Sequence, residues 1–266
     1  MSKLCEYFGY SRQAYYKRCH AEKGKELREA EVIGAVDKIR QKLPRVGCRK
    51  LMVMIGVEVG RDRLFGILRK HKKLVPVKRR YHVTTKSQHG LARYKNLIRD
   101  QEPLKPNEQY VSDITYIRTE EGYGYLSLVT DRYSRAIVGY DLSRSLAVEG
   151  SLRAYKQALR QRGESRTKTI HHSDRGIQYS CHEYINLSKA NGVETSMTED
   201  NHVYENAMAE RVNGILKTEF GLCKRLKSFV MAKKMVEQSI DLYNNYRPHL
   251  ALGYKTPAQV HRELAV

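Results

Sequence analysis

Tyr110-Val111-Ser112-Asp113-Ile114-Thr115-Tyr116-Ile117 is a run of β-branched and aromatic residues interrupted by one carboxylate. Such a run predicts a strand, with Asp113 sharing a face with Val111 and Thr115. A lone acid in an apolar strand is costly to bury unless a cation or an arginine answers its charge. Working outward, residues 123–131 and 136–142 read as two more strands. The turns between them, at Glu121-Gly122 and Arg132-Tyr133-Ser134, are short enough for an antiparallel meander. A helix over 147–161 with Leu152, Tyr155, Ala158 and Leu159 inward follows, then a strand at 168–172, a helix at 182–190 and a strand at 193–196. The expectation is an α/β domain with a mixed five-stranded sheet flanked by helices.

Two further acids stand out downstream. Asp174, in His172-Ser173-Asp174-Arg175-Gly176-Ile177-Gln178-Tyr179, follows a strand and precedes a glycine, so it projects from the strand's C-terminal end, where such sheets place ligands. Glu210 lies on a helix whose inward stripe is Ala209, Val212, Leu216 and Phe220. Beside that stripe Asn206, Glu210, Asn213 and Lys217 form one polar line. Glu205 and Glu219 are rival acids. Carboxylate oxygens suit Mg²⁺ or Mn²⁺, and a pair of such ions about 4 Å apart can clamp both oxygens of an in-line phosphoryl displacement. His171 and His172 lack a second His or Cys pair in register, which favours packing or DNA contact over zinc.

With 35 residues between Asp174 and Glu210, the three acids resemble the Asp, Asp, Glu triad of the retroviral-integrase-like transposases. The words Ser112-Asp-Ile-Thr-Tyr-Ile117, His172-Ser-Asp-Arg-Gly-Ile-Gln-Tyr179, Glu205-Asn-Ala-Met-Ala-Glu210, Leu216-Lys-Thr-Glu219 and Tyr243-Asn-Asn-Tyr-Arg-Pro-His-Leu-Ala-Leu-Gly-Tyr-Lys-Thr-Pro257 are similar to the second reading frame of two-frame bacterial insertion sequences. Tyr110 stands where that family more often has Trp, and Glu205 where it more often has Asp. The resemblance implies a ribonuclease H-like core over residues 106–250, with Asp113, Asp174 and Glu210 catalytic and holding two Mg²⁺ ions, Mn²⁺ being able to substitute. It also implies Lys217 on a DNA phosphate or terminal base, and a C-terminal tail over 251–266. The implied reaction is metal-dependent cleavage at the element's ends followed by strand transfer, through a donor-primed circle. Its implied partners are the terminal inverted repeats and target DNA, a second copy or larger assembly, and the upstream-frame product as fusion or partner.

The net charge of +20 over 266 residues agrees with a polyanionic partner. Residues 1–100 hold 26 Lys and Arg against 9 Asp and Glu, so the front is the electrostatic footprint. Residues 1–22 read as a helical pair with Ser11 as N-cap. Residues 25–74 read as a small all-α helix-turn-helix domain: a helix over 25–42, a second over 48–56 and a basic third over 61–71. Arg49, Arg61, Arg63 and Arg69 are its candidate DNA contacts, whether in a groove or on the backbone alone. Residues 75–105, with Lys78, Arg79 and Arg80, read as a basic linker ordered by DNA. Arg175 and His172 complete the candidate DNA-binding set.

Five scattered cysteines without a CxxC pair suggest reduced thiols. The absence of an apolar run of membrane length suggests a soluble, intracellular protein, and the resemblance implies a prokaryotic cytoplasm, near the nucleoid. Two other classes fit the same residues: a DNA-binding regulator with a relic core, and a structure-selective nuclease that cuts without joining.

Overall fold

The computed structural model describes residues 2–76, 94–163, 168–199 and 206–263. The chain divides into two compact units, Met1–Val77 and Lys78–Val266.

The first unit is all helical: α1 (Ser2–Tyr7), α2 (Arg12–Lys42), α3 (Cys48–Met54) and α4 (Arg61–Lys70). Ser11 caps α2, its hydroxyl accepting from Ala14 N at 3.1 Å. The break expected between residues 22 and 25 is absent, and α2 runs unbroken for 31 residues. Gly24 has nothing within 4 Å of a would-be Cβ, so it costs only a mid-helix glycine's entropy, about 1 kcal/mol, and does not end the helix. Val32 and Val36 of α2 are buried, as are Leu51 of α3 and Leu64, Ile67 and Leu68 of α4. Lys70 closes the bundle by donating to Glu29 at 2.7 Å, and this bond holds the Glu29 carboxyl below its usual range.

The second unit holds β1 (Gln109–Thr119), β2 (Gly122–Asp131), β3 (Ile137–Ser143), α5 (Val148–Arg162), β4 (Thr169–Ser173), α6 (Ile177–Ser180), α7 (His182–Ala190), β5 (Val193–Met197), α8 (Ala207–Glu219), α9 (Phe229–Asn245) and α10 (Pro257–Glu263). The sheet order is β3-β2-β1-β4-β5, with β1, β2 and β3 antiparallel and β1, β4 and β5 parallel. Period-two alternation assigns the faces. Ile117, Leu126, Leu128 and Leu142 point to Val212 and Leu216 of α8 and Val236 and Ile240 of α9. Tyr110, Val129 and Val138 point to Ala154, Tyr155 and Ala158 of α5 and Tyr184 of α7. Gly139 lets α5 close on the sheet, because a Cβ there would fall 2.0 Å from the Ala154 carbonyl oxygen.

Residues 94–105, expected to belong to the linker, include a segment docked on this second unit. Ile98 is buried beside Val111 and Ile170, and Leu97 N donates to Ser196 Oγ at 2.9 Å. Lys78, Arg79 and Arg80 lie outside the described residues. The C-terminal tail is also docked: Ser134 Oγ meets His261 Nδ1 at 2.9 Å, and Ser134 in turn donates to the buried Asp131 at 2.6 Å.

Candidate active site

Strand register fixes the first two acids. In the parallel pair β1 and β4, Ser112 stands opposite Ser173, so Asp113 and Asp174 are the next residue along each of two neighbouring strands. Here β4 ends, and the chain turns away at Asp174, whose Oδ1 accepts from Gly176 N at 3.0 Å. β1 continues with no β4 beside it, leaving an opening at the level of the two carboxylates.

Helix α8 brings the third. Asn206 Nδ2 donates to the Ser112 carbonyl at 3.0 Å, and Asn213 Nδ2 donates to Asp113 Oδ2 at 2.7 Å. These asparagines lie four residues before and three after Glu210, so the helix is pinned to β1 on both sides of that acid. The other Asp113 oxygen accepts from Ile114 N at 2.8 Å.

The electrostatics follow from this crowding. Burial, then the Asp174 charge, with a smaller push from Glu210, raises the Asp113 carboxyl to about 7 despite the Asn213 bond. Glu210 is also raised, first by desolvation and then by Asp174. The Lys217 ammonium, two turns on from Glu210, is lowered by burial, with the Asp113 charge opposing that shift and Arg118 adding to it. The site therefore concentrates negative charge with one neighbouring ammonium. Among the described residues no three His, Cys, Asp or Glu side chains are gathered tightly enough to hold an ion as they stand. Glu210 is the exposed member of the trio.

The two histidines beside the site face inward. His172, expected at the DNA, is fully buried, with Nδ1 bonded to Ser196 Oγ at 2.8 Å. His171 is buried on the opposite sheet face, its Nε2 2.7 Å from Ser112 Oγ and 3.3 Å from the Tyr184 hydroxyl, and burial lowers its pKa to about 3. A neutral imidazole thus staples the two acid-bearing strands from behind. The spacing of Ser112 and His171 in sequence gives no sign of this staple, which depends on the β1/β4 register.

Arg175 is half-buried and donates from Nε to the Thr198 carbonyl at 2.7 Å, which ties down the Asp174 loop. The rival acid Glu219 is engaged by Arg247, through bonds of 2.8 and 2.6 Å. Arg49, Arg61, Arg63 and Arg69 are exposed on the first unit, with Arg61 paired to Asp62 at 2.9 Å. Glu205 lies outside the described residues.

The sheet order, three antiparallel strands followed by two parallel ones with helices on both faces, defines a ribonuclease H-like fold. Two profiles described as Integrase core domain match residues 103–202 and 191–257. The chain is 32% identical over 262 residues to a 31 kDa protein of insertion element IS600 from Shigella sonnei, covering 96% of each. It is 30% identical over 241 residues to the transposase of IS629 from the same organism, covering 88% of this chain and 75% of that one. Among solved structures, the simian T-cell lymphotropic virus intasome in complex with PP2A regulatory subunit B56 gamma aligns with a TM-score of 0.52 at 17% identity, covering 82% of this chain and 71% of that one. That likeness concerns the fold alone. The chain belongs to the insertion-sequence transposases that carry an integrase core. Among the described residues no helix is long and apolar enough to cross a membrane.

Proposed function

We propose that this chain is the catalytic polypeptide of a DNA transposase that cuts strands at the ends of its element and joins the freed 3′-hydroxyl to another phosphodiester. The observation that carries the reading is the placement of Asp113 on β1 and Asp174 just past the end of the parallel β4, with α8 pinned to β1 on both sides of Glu210. A carboxyl raised to about 7 by burial and then by the Asp174 charge is a group that a divalent cation would return to its charged form. The donor set is all oxygen, which fits Mg²⁺ or Mn²⁺. Asp113, Asp174 and Glu210 would hold two such ions, which supply Lewis-acid stabilisation of the phosphoryl transfer.

The remaining steps fall to the chain itself. Asn213 fixes the Asp113 carboxylate so that it needs no reorientation when DNA arrives. Lys217, partly desolvated and close to Asp113, sets a scissile-strand phosphate against the acids. Glu210, exposed on the first turn of α8, completes the trio by a side-chain movement. The helical unit, with Arg49, Arg61, Arg63 and Arg69 on its surface, supplies affinity for the duplex as a helix-turn-helix module. Lys78, Arg79 and Arg80 add cationic charge in the sequence that follows the helical unit. Two DNA ends must be held together for joining, which calls for a dimer or larger assembly, with the upstream-frame product as fusion or partner.

Incubating the purified chain with a labelled terminal repeat and Mg²⁺ tests this. Joined product of greater length is the expected result. Shortened strands alone would indicate a nuclease, and retention without reaction a binding regulator.

A further inference from the structure

The word Asp113-Ile-Thr-Tyr116-Ile continues past the acid into a surface that the chemistry leaves unused. In the β1/β2 hairpin Tyr116 stands opposite Tyr125, and Arg118 opposite Tyr123, so the four share one face. The Tyr116 ring lies edge-on to both partners, with centroids 5.3 Å from Tyr125 and 6.2 Å from Tyr123. The other face of the hairpin is closed: Ile117 is fully buried, and a Cβ on Gly124 would meet Leu142 at 3.0 Å and Phe229 at 3.3 Å. On the tyrosine face, cover fades along the strands. Ser127 is buried against Ser151 of α5, Tyr116 and Tyr125 are half-buried, and Tyr123 is 53% exposed.

We infer that Tyr116, Tyr123, Tyr125 and Arg118 form a stacking platform for unpaired bases of DNA on the sheet face opposite Asp113. Three observations select this occupant. Mutually packed rings offer flat, rigid aromatic surface at little entropic cost, and every nucleobase has a π-face, so stacking of this kind tolerates any sequence. Arg118 is exposed and has no carboxylate partner among the described residues, which suits a phosphate or a stacked base. The patch is also a short way from the chemistry, on the other face of the sheet: Tyr116 is three residues beyond Asp113 on the same strand, roughly 10 Å along it. A strand end that frays or is freed by cleavage at the acids has unpaired bases that reach this face round the edge of β1, which has no β4 partner beyond Ser112. The inference thus rests on the transposase reading for the source of those bases, though not for the stacking itself.

Binding of the full chain to two probes in EDTA tests it without the reaction. One probe is a blunt duplex, and the other is the same duplex with a short single-stranded extension carrying 2-aminopurine. The extension strengthens binding by about tenfold and its 2-aminopurine is quenched. Tyr123→Phe keeps both effects. Tyr123→Leu loses most of the gain and the quenching, while blunt-duplex affinity and the melting temperature stay unchanged. Equal binding of the two probes by the parent chain overturns the inference, as does a Leu variant that behaves like the Phe variant. Failure to join strands with the extension preference intact would count against the transposase reading and leave the platform standing.

Discussion

Asp113 couples the site to protein stability. Its folded pKa of about 7 lies above the ordinary aspartate value, so between the two the folded state keeps a proton that the unfolded chain releases. The sign follows: stability is greatest below pH 4 as far as this group is concerned, and it falls as pH rises towards 7 and beyond. In metal-free buffer the melting temperature therefore drops between pH 5 and pH 8, by the equivalent of at most about 3 kcal/mol, and Asp113→Asn flattens that slope. Mg²⁺ restores the parent at pH 8 without affecting the Asn variant, as scanning calorimetry can check. Asn213→Ala removes the amide that fixes Asp113, and it is expected to lower the strand-joining rate by about 10- to 100-fold with duplex affinity intact. Sequence patterns single out the three acids as candidates, because a mid-strand Asp, a post-strand Asp and a Glu on a polar helical line are each unusual. The sequence leaves His172 open between packing and DNA contact, since nothing local shows that Ser196 will stand opposite it on β5 and settle the matter for packing.

At the scale of elements, α8 and α9 are locked by a pair that the sequence presents only as a recurrent phrase. Arg247, just past α9, is 4% exposed and grips Glu219 at the end of α8 with two bonds, while its Nη1 meets His249 at 2.9 Å. Arg247→Met removes a bidentate partner from a half-buried carboxylate and should cost about 3 kcal/mol. Adding Glu219→Gln should recover part of that loss, which urea melts of both variants would show. The strands and amphipathic helices were readable because their periods of two and of 3.6 survive in composition. The continuity of α2 was not, because Gly24 in a charge-rich stretch looks like punctuation although it is only an exposed helix residue. Residues 94–105 carry no period at all, and long-range bonds to Ser196 and packing on Val111 give them their place.

For the whole molecule, cationic charge is densest at the front of the chain, in the helical unit and the start of the second. The excess of cations in residues 1–100 predicts binding driven by counterion release. Raising salt from about 50 to 200 mM should weaken duplex affinity by about 10²- to 10³-fold for roughly five phosphate contacts. Replacing Arg49, Arg61, Arg63 and Arg69 by Ala should lower the slope of log affinity against log salt by about 3, while turnover of saturating DNA is kept, as fluorescence anisotropy and gel assays would report. The chemistry itself stands or falls with the acids of the second unit. The most direct measurement is the rate at which Asp174→Asn joins labelled element ends in Mg²⁺ at saturating DNA. A fall of at least about 10³-fold with DNA binding unchanged is predicted; joining at the parent's rate would contradict the assignment of Asp113, Asp174 and Glu210 as one metal-binding site.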